Sequence, residues 1–251
     1  MNNPALPLEQ ELDRIAAAGF HFIDLTLEPP GAWPVDGARV ARLVRDHGLS
    51  VVGHTAYFLP IASPYPELRE RAAELFERAL DVFAEVGAGR VNVHADPLTR
   101  PPEDAVERNA EAIGRLAAQA ADRGLTLMLE NLGRSFARIE DLRPIFEAVD
   151  GLAFHLDVGH ANMARRPGEP NRTAELLQAF GERLAHVHVH DNLGVDDLHL
   201  PLAVGTVDWP SVVRALKDAG YDGTVTLEVF GEERSYLDLS RRLWLEWWDS
   251  A

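Results

Sequence analysis

Apolar residues along this chain recur at two alternating periods. Residues 6–18 carry Leu8, Leu12, Ile15 and Ala16 at helical spacing, and Gly19 follows where a helix would stop. HFIDLTLE (21–28) then reads as a strand closed by Pro29 and Pro30. A helix over 36–47 halts at Gly48, and LSVVGHTAY (49–57) is the next strand. The long segment Glu67–Val86 places Leu68, Leu75, Phe76, Ala79, Leu80, Phe83 and Val86 on one face, as an amphipathic helix does. The same alternation continues with a strand over Arg90–His94 and a helix over Pro102–Arg123 that opens on proline. A strand over 125–131 and a short helix over 140–149 follow, then a strand ending on Asp157. The remainder predicts a helix over 173–183, a strand over 184–190, a helix over 210–219, a strand over 223–230, and an apolar helix over 234–248.

Strands alternating with helices through short loops form parallel βαβ units. Short, β-branched, apolar strands are those expected when helices cover a sheet. The expected fold is therefore α/β, a TIM-type (β/α) barrel in one domain over 1–251. Only seven strands are legible, because a helix opens the chain where a first strand would stand. A seven-stranded barrel, an irregular filling of the gap by Asn2–Pro7, or a lost N-terminal strand would each account for that.

Composition narrows the chemistry. The chain has 251 residues and no cysteine, so any metal must be held by His, Asp or Glu rather than thiolate. Neither a membrane span nor a signal pattern is present, and a cytoplasmic setting is expected. Forty acidic against 24 basic residues give a formal charge of −16, which argues against a duplex nucleic acid partner and towards a small molecule.

Within that frame, HVHVHDNLGVDDLH (186–199) stands out. Alternate residues of a strand share a face, so His186, His188 and His190 should lie together, with Asp197 and His199 just downstream. Such a cluster is costly in an apolar core unless a cation binds it. Moreover, His54, His94, Glu130, Asp157, His188 and Glu228 each fall at the C-terminal end of a different predicted strand. Those ends converge on the active-site mouth of a (β/α) barrel.

The series GHTAY, VNVHADP, LMLENLGR, HLDVGHAN, HVHDN, DLH, G-x-V-D-W and TLEVF resembles the xylose-isomerase-like TIM-barrel superfamily over nearly the whole chain. That superfamily contains sugar and sugar-phosphate isomerases and epimerases and the endonuclease-IV-type nucleases. The epimerase pattern implies one divalent ion, zinc or manganese, on Glu130, Asp157, His188 and Glu228, with the two glutamates as acid and base. The nuclease pattern implies up to three zinc ions and adds His54, His94, His160, Asp197 and His199. The resemblance selects His188 from the three alternating histidines, leaving His186 and His190 as hydrogen-bonded barrel residues.

The leading expectation is a metal-dependent isomerase or epimerase of a sugar, sugar phosphate or related polyol, working by proton abstraction next to a carbonyl. Glu130 and Glu228 are the expected catalytic pair. Arg134 and His160 are expected substrate contacts, Arg134 suiting a phosphorylated sugar. The alternatives are a multi-zinc phosphodiester hydrolase and a dehydratase or lyase on the same scaffold. Trp244, Trp247 and Trp248 suggest either subunit contacts in a homo-oligomer or packing on the body of the chain.

Overall fold

Seven parallel strands and nine α-helices alternate among the described residues of the computed structural model, which are 1–28, 35–97, 103–166, 168–231 and 233–251. The chain divides into two compact units, one of Met1–Leu129 with Pro144–Leu152, the other of Glu130–Arg143 with Ala153–Ala251.

In the first unit, α1 (Leu8–Ala17), β1 (Phe22–Leu27), α2 (Gly37–Asp46), β2 (Ser50–Thr55), α3 (Pro66–Glu85), β3 (Arg90–His94) and α4 (Ala105–Ala121) lie within a few residues of the expected bounds. β4 (Thr126–Glu130) follows them, its last residue Glu130 belonging to the second unit. The expected stop at Pro29-Pro30 and start at Pro102 fall outside the described residues. β1 pairs in parallel with β2 from Phe22–Ser50 through Leu27–Thr55. Asp36 caps α2, its carboxylate accepting from the Arg39 amide at 3.0 Å. Gly53 in β2 is there because a Cβ would strike the Phe83 ring and the Val91 side chain, so its absence lets α3 press on the strands.

Near the N-terminus, Asn2 bonds to the backbone of β1. The Asn2 backbone amide donates to Asp24 O at 3.4 Å, and its side-chain oxygen accepts from the Thr26 amide at 2.8 Å. A single asparagine thus partners the Asp24 carbonyl and the Thr26 amide of β1.

In the second unit, β5 (Ala153–Asp157), β6 (Leu184–Val189) and β7 (Thr224–Leu227) run in that order and in parallel, pairing Asp157 with His188 and His188 with Thr226. Their helices are α6 (Val158–Met163), α7 (Thr173–Phe180), α8 (Trp209–Asp218) and α9 (Ser235–Ser250); α5 (Ile139–Ala148) begins in this unit. Periodicity did not reveal α6, a single short turn that springs directly from β5. Asp157 caps it, Oδ1 accepting from the His160 amide at 2.6 Å. The tryptophans of α9 pack inward on α8: Trp247 stacks on buried Trp209 with centroids 6.0 Å apart, and Trp244 meets it edge-on at 6.2 Å.

Candidate metal centre

β5 and β6 alternate apolar and polar positions, which places His155 with Asp157, and His186 with His188, on one face of the sheet. All four are buried, as are His190, Glu130 at the end of β4 and Glu228 just past β7. Seven of the nine expected metal ligands, Glu130, Asp157, His160, His188, Asp197, His199 and Glu228, therefore come together in the second unit. The other two, His54 and His94, belong to the first unit, where they are neighbours with ring centroids 5.3 Å apart.

The inner part of the cluster is built on His188. Its Nδ1 lies 3.1 Å from Glu228 Oε2 and 4.0 Å from Asp157 Oδ2. Asp157 is fixed from both sides of its backbone by Asn131, whose amide group donates to Asp157 O and accepts from Asp157 N, each at 2.9 Å. Its Oδ2 is buried without a hydrogen-bond partner among the described residues. Glu130 faces His155 Nδ1 at 3.2 Å and His160 Nδ1 at 3.4 Å. Three buried carboxylates against few donors would repel one another strongly in a low-dielectric interior. A divalent cation relieves that repulsion, and the mixed oxygen and imidazole donors fit one.

The outer part surrounds Asp197. His160 Nε2 and His199 Nε2 both stand 3.2 Å from Asp197 Oδ2. Burial lowers the proton affinity of His160, but the Asp157 charge and the bonds to Asp197 and Glu130 outweigh it and hold the ring well above its ordinary value. Burial likewise opposes His199, yet Asp197 and the Glu228 and Asp157 charges push it up to about 9. Asp197 is driven well below the usual carboxylate range, burial being overcome by the same two imidazoles. His199 adopts a left-handed backbone, φ 45°, which few non-glycine residues accept, and Phe230 stacks on its ring at 4.4 Å.

The loop carrying Asp197 and His199 is held by a residue that sequence reasoning passed over. Buried Asp191 accepts four hydrogen bonds: from the amides of Asn192 (2.9 Å), Val207 (3.2 Å) and Ala203 (3.0 Å) and from Trp209 Nε1 (2.9 Å). Its sequence signal was its place in the HVHDN motif, three residues after His188, which carried no hint of the bonds it accepts. His155 and Asn131 were visible as polar residues next to ligands, but their contacts with Glu130 and Asp157 needed three dimensions. His186 behaves as expected, its two ring nitrogens meeting the hydroxyls of Thr224 (2.7 Å) and Thr226 (3.1 Å). His190 does not: it is fully buried, and neither ring nitrogen has a hydrogen-bond partner among the described residues. Arg134 is exposed and bridges to Asp196 at 2.8 Å, outside the buried cluster.

Comparison with known proteins gives the family and the fold. A family model described as a xylose isomerase-like TIM barrel matches residues 12–247. An L-ribulose 3-epimerase from Methylomonas sp. (strain DH-1) is 30% identical, with 94% of this chain and 84% of that protein covered. Among solved structures, a D-tagatose 3-epimerase-like protein superposes with a TM-score of 0.83 at 25% identity, covering 96% of this chain and 92% of that one. A protein from Thermus thermophilus, solved after soaking with zinc chloride, superposes with a TM-score of 0.75 at 31% identity, covering 95% and 94%.

Proposed function

The chain belongs to the xylose isomerase-like TIM-barrel family, and from that premise we propose that it is a divalent-metal-dependent 3-epimerase or isomerase of a ketose-type sugar. The family match runs through both compact units, which supports reading 1–251 as one catalytic domain.

The observation that carries the reading is the buried quartet of Glu130, Asp157, His188 and Glu228, with Asp157 Oδ2 unpartnered among the described residues. These four residues would hold the ion. A bound divalent cation, zinc or manganese, supplies Lewis-acid polarisation of a carbonyl and its neighbouring hydroxyl. Glu130 and Glu228, each presenting a carboxylate from its own strand end, serve as the proton-abstracting and proton-returning groups. His155 Nδ1 stands 3.2 Å from one oxygen of Glu130, and its other oxygen faces His160. His160 and the His199–Phe230 stack offer a donor and an aromatic face to the sugar. Arg134, if the sugar is phosphorylated, would exchange Asp196 for the phosphate.

The test is proton exchange at carbon. Ketopentoses and ketohexoses incubated with metal-loaded protein in D2O should gain deuterium at the C–H beside the carbonyl and convert to their 3-epimers, followed by NMR. No exchange with any such sugar would overturn the reading. A second reading, phosphodiester hydrolysis at a multi-metal site, is favoured by one observation, the His160–Asp197–His199 triad. Efficient cleavage of abasic-site duplex DNA would establish it, against the formal charge of −16.

A further inference from the structure

Residues 193–199 of the β6–α8 connection form an arm that carries Asp197 and His199, and little apolar burial holds it. Its large apolar side chains, Leu193, Val195 and Leu198, are 56%, 66% and 42% exposed. A segment with so few buried contacts takes its position from the polar bonds at its base. Those bonds run to α6. Asn192 Nδ2 donates to Gly159 O at 2.8 Å, and Asn162 Nδ2 donates to Asn192 Oδ1 (2.8 Å) and Thr206 Oγ1 (3.0 Å). Asn192 in turn accepts from the Gly194 amide at Oδ1 (2.8 Å) and from the Thr206 amide at its carbonyl (2.9 Å). Both asparagines are fully buried.

Arg165, just beyond the end of α6 and half-buried, closes this network. Its Nε donates to Asn162 Oδ1 at 2.9 Å, Nη2 to Thr206 Oγ1 at 3.2 Å and Nη1 to Glu169 O at 3.3 Å. A guanidinium only donates, so with Oδ1 taken by Arg165 the Asn162 amide must turn its N–H groups to Asn192 and Thr206. Gly194 packs against the same guanidinium, and a Cβ there would come within 2.9 Å of Nη2. Arg134 reaches the arm's other flank, at Val195 O (3.3 Å) and Asp196 Oδ1 (2.8 Å), but that ion pair is exposed on both sides and holds weakly. We propose that Arg165 is a positioning residue: it clips the 193–199 arm to α6, and so fixes how His199 on the arm and His160 on α6 face the sugar. The inference rests on the proposed epimerase reading and adds to it a residue that acts through the arm.

The experiment compares wild type with Arg165→Ala, Arg165→Lys and Thr206→Val as metal-loaded full-length protein. Deuterium exchange into the ketose reads the reaction, and backbone amide exchange reads the arm. Arg165→Ala should lower the deuterium-exchange kcat by about 10–100-fold, since a small misplacement of substrate-facing groups costs that much. Guanidinium ion at a non-denaturing concentration should restore part of that loss and leave wild type unchanged. Lysine keeps the charge but cannot bond Asn162 and Thr206 together, so Arg165→Lys should resemble Arg165→Ala. Thr206→Val cuts the far end of the clip at an exposed residue, and it serves should Arg165→Ala disturb folding. Combined with Arg165→Ala it should add little, because both sever one tether. In Arg165→Ala and in Thr206→Val the Gly194 amide should exchange about tenfold faster, while the Ala203 and Val207 amides, bonded to Asp191, should keep their rates. An unchanged rate in Arg165→Ala, full activity in Arg165→Lys, or no rescue by guanidinium would make Arg165 a packing residue and overturn the inference. A wild type active on no ketose would remove the epimerase reading, and with it the catalytic role of the clip. Unchanged Gly194 exchange in Arg165→Ala, with wild type active, would remove the clip alone.

Discussion

Glu130 shows how little freedom a side chain at this centre has. It ends β4, is 1% exposed, and its two oxygens face different imidazoles, His155 and His160. That division fixes the carboxylate plane before substrate arrives, which is what a base at carbon needs, because proton abstraction is efficient only from a held geometry. Glu130→Gln keeps the shape and loses the base. With saturating metal, it should lower the deuterium-exchange kcat by about 10²–10⁴-fold. Exchange within tenfold of wild type would remove Glu130 from the proton-transfer role. Glu228 is different, since its Oε2 already faces His188 at 3.1 Å and its backbone carbonyl accepts from His199 at 3.0 Å. A change there should disturb metal affinity together with rate.

The β6–α8 connection is an element organised by one carboxylate. Asp191 gathers the Asn192, Ala203 and Val207 amides and the Trp209 indole, while a backbone pair with Leu200 closes the loop's neck at 2.8 and 2.9 Å. Asp191→Asn turns one accepting oxygen into a donor that opposes two of these groups. It should destabilise the protein by about 2–5 kcal/mol. The check is the urea midpoint; a midpoint within experimental error of wild type would mean the loop is held elsewhere. The connection also marks where the sequence was legible and where it was not. Strands and long helices were readable because burial imposes a period on Leu, Val and Phe. The candidate ligands were readable because they recur at strand ends. The two-residue alternation correctly placed His186 and His188 on one face, and His186 is satisfied by threonine hydroxyls as expected. It misjudged His190, which lies beyond the end of β6 and whose surroundings come from α6 and the Asp191 loop. Neither has a periodic signature: α6 is six residues long and Asp191 acts through backbone amides. The bonds of Asn2 to β1 were hidden for the same reason, since a lone amide leaves no pattern.

For the whole molecule, protons and metal compete for the same imidazoles, and the competition has a definite sign. In the metal-free protein His199 is raised from 6.5 to about 9, and His160 is also raised, because Asp157, Asp197 and Glu228 favour their charged forms. A folded-state pKa above the unfolded one contributes stability that is complete below about 6.5 and is lost as pH rises through the folded value. Metal-free protein should therefore melt at progressively lower temperature from about pH 6.5 to 9. Metal loading would have the opposite trend, because an ion held near these imidazoles must displace their protons. Its affinity should rise about tenfold per pH unit for each proton displaced. The melting-temperature gap between metal-loaded and chelator-treated protein should thus widen across the same window, most of the change coming from the falling metal-free curve. Melting curves at pH 6, 7, 8 and 9 in matched ionic strength are the measurement. A metal-free melting temperature that stays level or rises over this range would show that the His160–Asp197–His199 cluster is not held in its charged form. An ion there would then bind without releasing protons, contrary to the electrostatics by which Asp157, Asp197 and Glu228 raise His160 and His199.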